Sequence, residues 1–281
     1  MKILICWSTW FVWKYIMQKF LKDWYEVSSL NRGDFNLDED EFIKKFENID
    51  VIINLIWAPI IWRWTEKYKK ILYSSRIETT KKIVSAISKL EKNPKLFINT
   101  SAVWIYKQQL EHNEDSKNFD KWFLWKICIN WEKEALKNNK NCRTIITRFW
   151  VILWKWWFLQ KLLPIFKLWI WWKIWNWEFT MNFVDIEGIY RFYKNSIQNK
   201  EVKWIFNLSN INIKNKDFTK IFAKTLNRFA ILPVPKFALK LLYWEWANII
   251  FSDMIVNHKK TLNTWFEFKN DKLENILKKY I

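Results

Sequence analysis

The first thirteen residues, MKILICWSTWFVW, constrain everything that follows. Residues 3–6 form an apolar run of β type, and residues 11–21 carry helix-like spacing. Between them lies a strand-turn-helix step. The backbone there must turn tightly, approach closely whatever sits at the helix end, and let helix pack on strand. Each task asks for glycine. The chain has Trp7, Trp10 and Trp13 instead, the bulkiest side chain at each place. Glycine at those three positions turns the segment into GSTGFVG, the spacing of a turn that seats a dinucleotide pyrophosphate on a helix N-terminus.

Composition points the same way. The chain holds 24 Trp and 2 Gly in 281 residues. Ordinary usage of roughly 7% Gly would give about 20. If every Trp except Trp64 and Trp131 stands for glycine, the 22 conversions and the two existing glycines make 24. Some bacterial lineages read UGA as glycine, while a common alternative code reads it as tryptophan, so one mistranslated codon accounts for the pattern. The rival is a chain truly rich in Trp, such as a carbohydrate or membrane-interface binder. The converted positions fall where backbone freedom is required, which argues against it. Trp62, Trp122, Trp125 and Trp246 stay open on this evidence.

The length allows one large or two smaller domains with ample core. Net charge is +19, which could suit nucleic acid or anionic lipid. The lysines are spread along the chain, so a solvated charge is expected, with no nucleic-acid or membrane partner. Cys6, Cys128 and Cys142 are an odd set without CxxC spacing, and only His112 and His258 are present. A reducing, cytoplasmic setting with no disulfide framework and no metal site is expected. Met1 leads straight into a core-type strand, so no signal peptide is expected.

Further along, residues 25–30 read as a second strand ending in Asn31-Arg32-Gly33. An acidic residue there accepts from the ribose of NAD, whereas an Arg pairs with the 2′-phosphate of NADP. Arg32 suits the second case equally well as it suits a solvated loop. Residues 38–48 read as a short helix and residues 50–56 (DVIINLI) as a buried strand, running through Leu55 into Trp57 and Ala58. A long helix over 65–90, a strand over 96–100, a helix over 121–137 and a strand over 142–149 follow. This alternation predicts an α/β fold with a doubly wound parallel sheet. Residues 150–177 look superficially like a membrane segment, but interior lysines make a poor span. In the glycine reading they become loops around a short helix over 158–166. Strands are expected at 182–185 and 203–208, and helices at 217–226, 235–243 and 272–280. The expected division is a dinucleotide-binding domain at 1–153, completed by strands around 182–208, and a smaller α+β substrate-side part at 154–281.

Several blocks in order carry a resemblance. In the glycine reading they are GSTGFVG at 7–13, Asn31-Arg32, NLIGAP at 54–59, Arg63-Trp64-Thr65, Ser75-Arg76, SAVGIY at 101–106, Trp131-Glu132, RFGVIL at 148–153, LPIFKLGIGGKIGNG at 163–177 and the tail at 231–268. With them the chain resembles the extended short-chain dehydrogenase/reductase superfamily. Within it, the chain is similar to the epimerase-like oxidoreductases with a small C-terminal domain of unknown function. The resemblance covers essentially the whole chain. It implies NADP or NAD bound by residues 7 and 9–13 (Trp7, Thr9, Trp10, Phe11, Val12, Trp13) with Asn31, Arg32, Leu55, Trp57 and Ala58. Hydride would pass between the nicotinamide and a carbonyl or hydroxyl group of a small-molecule substrate.

The family's chemistry rests on Ser or Thr, Tyr and Lys, with the Tyr exchanging a proton with the substrate oxygen. Ser101 ends the fourth strand, where that Ser belongs. The Tyr-x-x-x-Lys pair is missing: counted back from Glu132, its positions hold Leu124 and Cys128, and Tyr106 is followed four residues on by Leu110. Ser101 and Tyr106 are therefore the candidate catalytic residues, with Lys126 a possible substitute. Both could equally be packing residues. The expected function is an NAD(P)-dependent oxidoreductase or nucleotide-sugar epimerase-like enzyme; the alternative is a non-catalytic NADP-binding sensor.

Overall fold

The computed structural model describes residues 1–7, 11–60, 62–119, 122–138, 141–154, 173–174, 178–227, 233–234, 252–269 and 272–280. The first half runs β1 (Lys2–Trp7), α1 (Phe11–Lys22), β2 (Glu26–Leu30), α2 (Glu39–Lys44), β3 (Val51–Leu55), α3 (Glu66–Ser74), α4 (Ile77–Ser88) and β4 (Leu96–Ala102). It continues through β5 (Glu111–His112), α5 (Phe123–Leu136), β6 (Arg143–Phe149) and β7 (Val151–Leu153). The remainder comprises β8 (Lys173–Ile174), β9 (Thr180–Asp185), α6 (Ile186–Gln198), β10 (Trp204–Asn207), β11 (Ile211–Lys214) and α7 (Asn215–Thr225). It ends with β12 (Pro233–Val234), β13 (Ile255–Val256), α8 (Lys259–Leu262) and α9 (Leu273–Tyr280).

Six strands form one sheet in the order β10-β6-β4-β3-β1-β2, every pairing parallel. The central strands β1, β3, β4 and β6 are buried on both faces. Along β1, Ile3 and Ile5 join one apolar cluster while Leu4 and Cys6 join another. The period-2 alternation of a strand sends them to opposite sides, and helices must cover both. On the first side lie α1, through Val12, Ile16 and Phe20, and α6, through Ile189, Phe192 and Tyr193. On the other lie Phe42 of α2, Ile83 and Ile87 of α4, and Ala135 of α5. Each such large apolar side chain contributes roughly 1.5–3 kcal/mol by leaving water. The predicted α/β fold with a doubly wound parallel sheet is what the chain adopts.

Local chemistry sets the boundaries. Asp38 caps α2 by accepting from the backbone N–H of Glu41 at 2.9 Å, and Thr65 caps α3 by accepting from Tyr68 at 3.2 Å. The single helix expected over 65–90 is two, broken at Ser75-Arg76. The cause is Arg76, buried at 5% exposure, whose guanidinium donates to the carbonyls of Leu72 at 3.2 Å and Ala58 at 3.1 Å. The helix expected at 38–48 is shorter, ending at Lys44, and Asn48 takes a left-handed φ of 57°. Residues 204–207 form the sheet's sixth strand.

Helix α6, capped by Asp185, was not expected from sequence. Nor were β7 and β11, which flank β9 in a three-stranded mixed sheet. Helices expected at 158–166 and 235–243 lie outside the described residues. Among the described residues no helix is long and apolar enough to cross a membrane, and no group of three or more His, Cys, Asp or Glu side chains could hold a metal ion.

Candidate active site and cofactor crevice

Chain order in the sheet reverses between β1 and β3: from β1 the chain first goes outward to β2, then returns to the other side. In an open α/β sheet the crevice at the carboxyl ends of the strands beside such a reversal is where ligands bind. Here it is bordered by Trp7 at the end of β1, Leu55 at the end of β3, Ala102 at the end of β4 and Phe149 at the end of β6.

At the turn after β1, the rings of Trp7 and Trp13 stack with centroids 4.0 Å apart and planes 17° apart. Trp7 Nε1 is buried without a hydrogen-bond partner among the described residues. Val12 is buried on the core side of α1 at 1% exposure. Thr9 and Trp10 lie outside the described residues, as does the side chain of Phe11.

After β2, Asn31 and Arg32 are exposed. The Asn31 N–H donates to Asp34 Oδ2 at 2.7 Å, and the Gly33 N–H donates to Asn31 Oδ1 at 2.7 Å. This ties the turn and leaves the Arg32 guanidinium in solvent, with no ion pair among the described residues. After β3, Leu55 is buried, and the Trp57 ring meets Phe149 edge-on at 6.1 Å. The backbone of Ala58 is pinned on both sides: its N–H donates to Ser75 Oγ at 3.1 Å, and its carbonyl accepts from Arg76.

Beneath the crevice a polar web fixes the strands to α4 and α5. Asn54 Nδ2 donates to Asn99 Oδ1 at 2.7 Å and to Thr80 Oγ1 at 3.0 Å, while Trp131 Nε1 donates to the same Thr80 oxygen at 2.9 Å. Arg76 lies over the Trp131 ring at 5.4 Å. Burial pulls its guanidinium pKa down to about 10.

Ser101 and Tyr106 are brought together, but through other residues. Ser101 Oγ donates to Glu132 Oε1 at 2.6 Å. Arg148 grips the same carboxylate twice, Nε to Oε1 at 2.7 Å and Nη2 to Oε2 at 2.6 Å, and its Nη1 donates to the Tyr106 hydroxyl at 2.7 Å. That hydroxyl donates to Asn207 Oδ1 at 2.9 Å. Tyr106 also stacks on His112 at 4.7 Å and 11°. Ser101 and Tyr106 are 2% and 0% exposed, so in this arrangement both hydroxyls face the network. Burial raises the Tyr106 pKa against the pull of Arg148. For Arg148 burial opposes the charge, but Glu132 outweighs it and the guanidinium is held charged.

Leu124 and Cys128, at the positions of the missing Tyr and Lys, are each 2% exposed. Burial pushes the Cys128 thiol up to about 12, so it is no thiolate nucleophile at neutral pH. Lys126 is exposed, on the opposite side of α5. Sequence reasoning missed the roles of Glu132, Arg148 and Asn207. The available signal was helix register: Glu132 lies four and eight residues after Cys128 and Leu124, on the buried face of α5.

Fold and crevice together define a Rossmann-type α/β protein. Its relatives make the assignment specific. The chain is 31% identical over 242 residues to epimerase family protein YfhF of Bacillus subtilis, covering 85% of this chain and 80% of that one. It is 26% identical over 246 residues to the chloroplastic epimerase family protein SDR39U1 homolog of Arabidopsis thaliana, covering 86% and 71%. The chain therefore belongs to this epimerase family. Among solved structures, human epimerase family protein SDR39U1 with NADPH superposes with a TM-score of 0.90 at 22% identity, covering 100% of this chain and 99% of the other. UDP-glucuronic acid 4-epimerase from Bacillus cereus in complex with NAD gives 0.79 at 15% identity, covering 100% and 95%. These two likenesses speak to the fold. No protein-family model matches the chain.

Proposed function

We propose that this protein is an NADP-dependent oxidoreductase or epimerase-like enzyme that passes hydride between the nicotinamide and a carbonyl or hydroxyl group of a small molecule. The observation that carries the reading is the crevice at the β1/β3 reversal, opening onto the β1–α1 turn. Read as glycine at 7, 10 and 13, that turn leaves room for a pyrophosphate against the N-terminus of α1. Arg32, exposed at the end of β2 with its guanidinium in solvent, is the group to pair with a 2′-phosphate. The NADPH and NAD in structures of similar fold support the cofactor class.

The reacting oxygen would lie at the end of β4, beside Ser101. Hydride arrival there builds negative charge on the oxygen, and a positioned hydroxyl stabilises it. Ser101 would take that role by turning from Glu132 toward substrate, with the Glu132–Arg148 pair and Tyr106 holding the strand ends in place. The cofactor supplies the hydride; the chain orients it and excludes water. The buried Leu124 and Cys128 favour a second reading, an NADP-binding protein without turnover. A panel of aldehydes, ketones and nucleotide sugars assayed with NADPH, using chain carrying glycine at 7, 10 and 13, separates them. Oxidation of NADPH, or interconversion of a sugar epimer, supports the enzyme. NADP binding with no turnover across the panel supports the second reading.

A further inference from the structure

The tryptophans divide into two physical kinds. Six described residues other than glycine have left-handed φ; two are Asn48 and Asn227, one is Gln109, and three are tryptophans: Trp24 at 63°, Trp204 at 76° and Trp265 at 61°. Asn tolerates this region because its short side chain bonds locally, but a bulky side chain there is a genuine outlier. The three indoles have nothing to hold them in it, being 95%, 61% and 94% exposed.

Trp24 shows what the backbone is asking for. The Trp24 N–H bonds the Leu21 carbonyl and the Tyr25 N–H bonds the Phe20 carbonyl, both at 3.1 Å. Phe20 and Tyr25 meet edge-on at 5.3 Å. That is a complete Schellman stop for α1, with its hydrophobic contact, and Trp24 occupies the left-handed position that glycine takes.

A second criterion concerns the indole N–H, which needs an acceptor when buried. Trp64 Nε1 donates to the Ile60 carbonyl and Trp131 Nε1 to Thr80 Oγ1, each at 2.9 Å. The buried indole nitrogens of Trp7, Trp104, Trp122 and Trp125 find no acceptor among the described residues.

We infer that the protein made in its own cells carries glycine at 24, 204 and 265, and also at 7, 104, 122 and 125, while 64 and 131 are true tryptophans. Two codons stand behind one letter. The criteria are backbone angle and hydrogen bonding, so they stand apart from the turn motif and from the cofactor reading.

The test is peptide mass spectrometry of the protein purified from the cells that carry its gene, together with the codons at these positions. Expected are glycine masses with UGA codons at 24, 204 and 265, and tryptophan masses with UGG codons at 64 and 131. Tryptophan at 24, 204 or 265 overturns the inference, as does glycine at 64 or 131. The masses read the chain whether or not it binds NADP, so failure here is distinct from failure of the functional reading.

Discussion

Arg148 and Glu132 form a buried, two-pronged ion pair, with Nε to Oε1 at 2.7 Å and Nη2 to Oε2 at 2.6 Å, the residues 2% and 5% exposed. The parallel register sets Arg148 opposite Ser101 across β6 and β4, so the pair joins two strand ends to α5. Such a pair adds little net stability over apolar packing, but breaking it strands a buried charge. Glu132→Gln should lower the unfolding free energy by about 3–5 kcal/mol. Urea denaturation of both chains measures this, and a loss under about 1 kcal/mol would show the pair to be solvated.

Ser101→Ala should cut turnover roughly tenfold or more on a confirmed substrate, with NADP affinity unchanged. Tyr106→Phe removes the hydroxyl that links Arg148 to Asn207, and should lower turnover through the geometry of the strand ends. Steady-state kinetics with parallel binding titrations read both. Full turnover in both variants would remove these two residues from the reaction.

Stability should fall in mild acid because of the two histidines. Burial lowers the pKa of His112, stacked on Tyr106, and of His258, edge-on to Phe268 at 5.6 Å. A folded-state pKa below the unfolded one means that the unfolded chain binds the proton first. The stability from neutral histidine is thus complete above about pH 6.5 and is lost as pH falls toward the folded pKa. Each group contributes a slope of at most about 1.4 kcal/mol per pH unit. Unfolding free energies between about pH 7 and 5 should decline in the parent and flatten in His112→Phe. An unchanged slope would contradict this.

Arg32→Ala should weaken NADP by about 1.5–3 kcal/mol while leaving NAD nearly unchanged. Calorimetric titration with each cofactor reads the difference. Tighter binding of NAD than NADP by the unaltered chain would contradict the role given to Arg32.

Much of the fold was legible because its signals are local. β3 and β4 open on apolar runs, Val51–Ile53 and Leu96–Ile98, as strands buried on both faces do, and Asp38 and Thr65 cap helices as their types suggest. The break at Ser75-Arg76 was not legible: no proline or glycine marks it, and long-range bonds from Arg76 to Ala58 decide it. Helix α6 was missed although Asp185 precedes an apolar stripe of Ile186, Ile189, Tyr190 and Tyr193. At the site, sequence placed Ser101 at a strand end but could not reveal that its hydroxyl meets Glu132, thirty-one residues away. That contact exists only once β4, β6 and α5 have packed.

The Trp7 and Trp13 rings stack where the proposed pyrophosphate seat lies. Calorimetric titration of NADP into two purified chains tests it most directly: one with tryptophan at 7, 10 and 13, the other carrying Trp7→Gly, Trp10→Gly and Trp13→Gly. The glycine chain should bind and the tryptophan chain should not, since indoles at the turn would take the room that the proposed pyrophosphate seat needs. Equal affinity for the two chains, or no binding by the glycine chain, would contradict it.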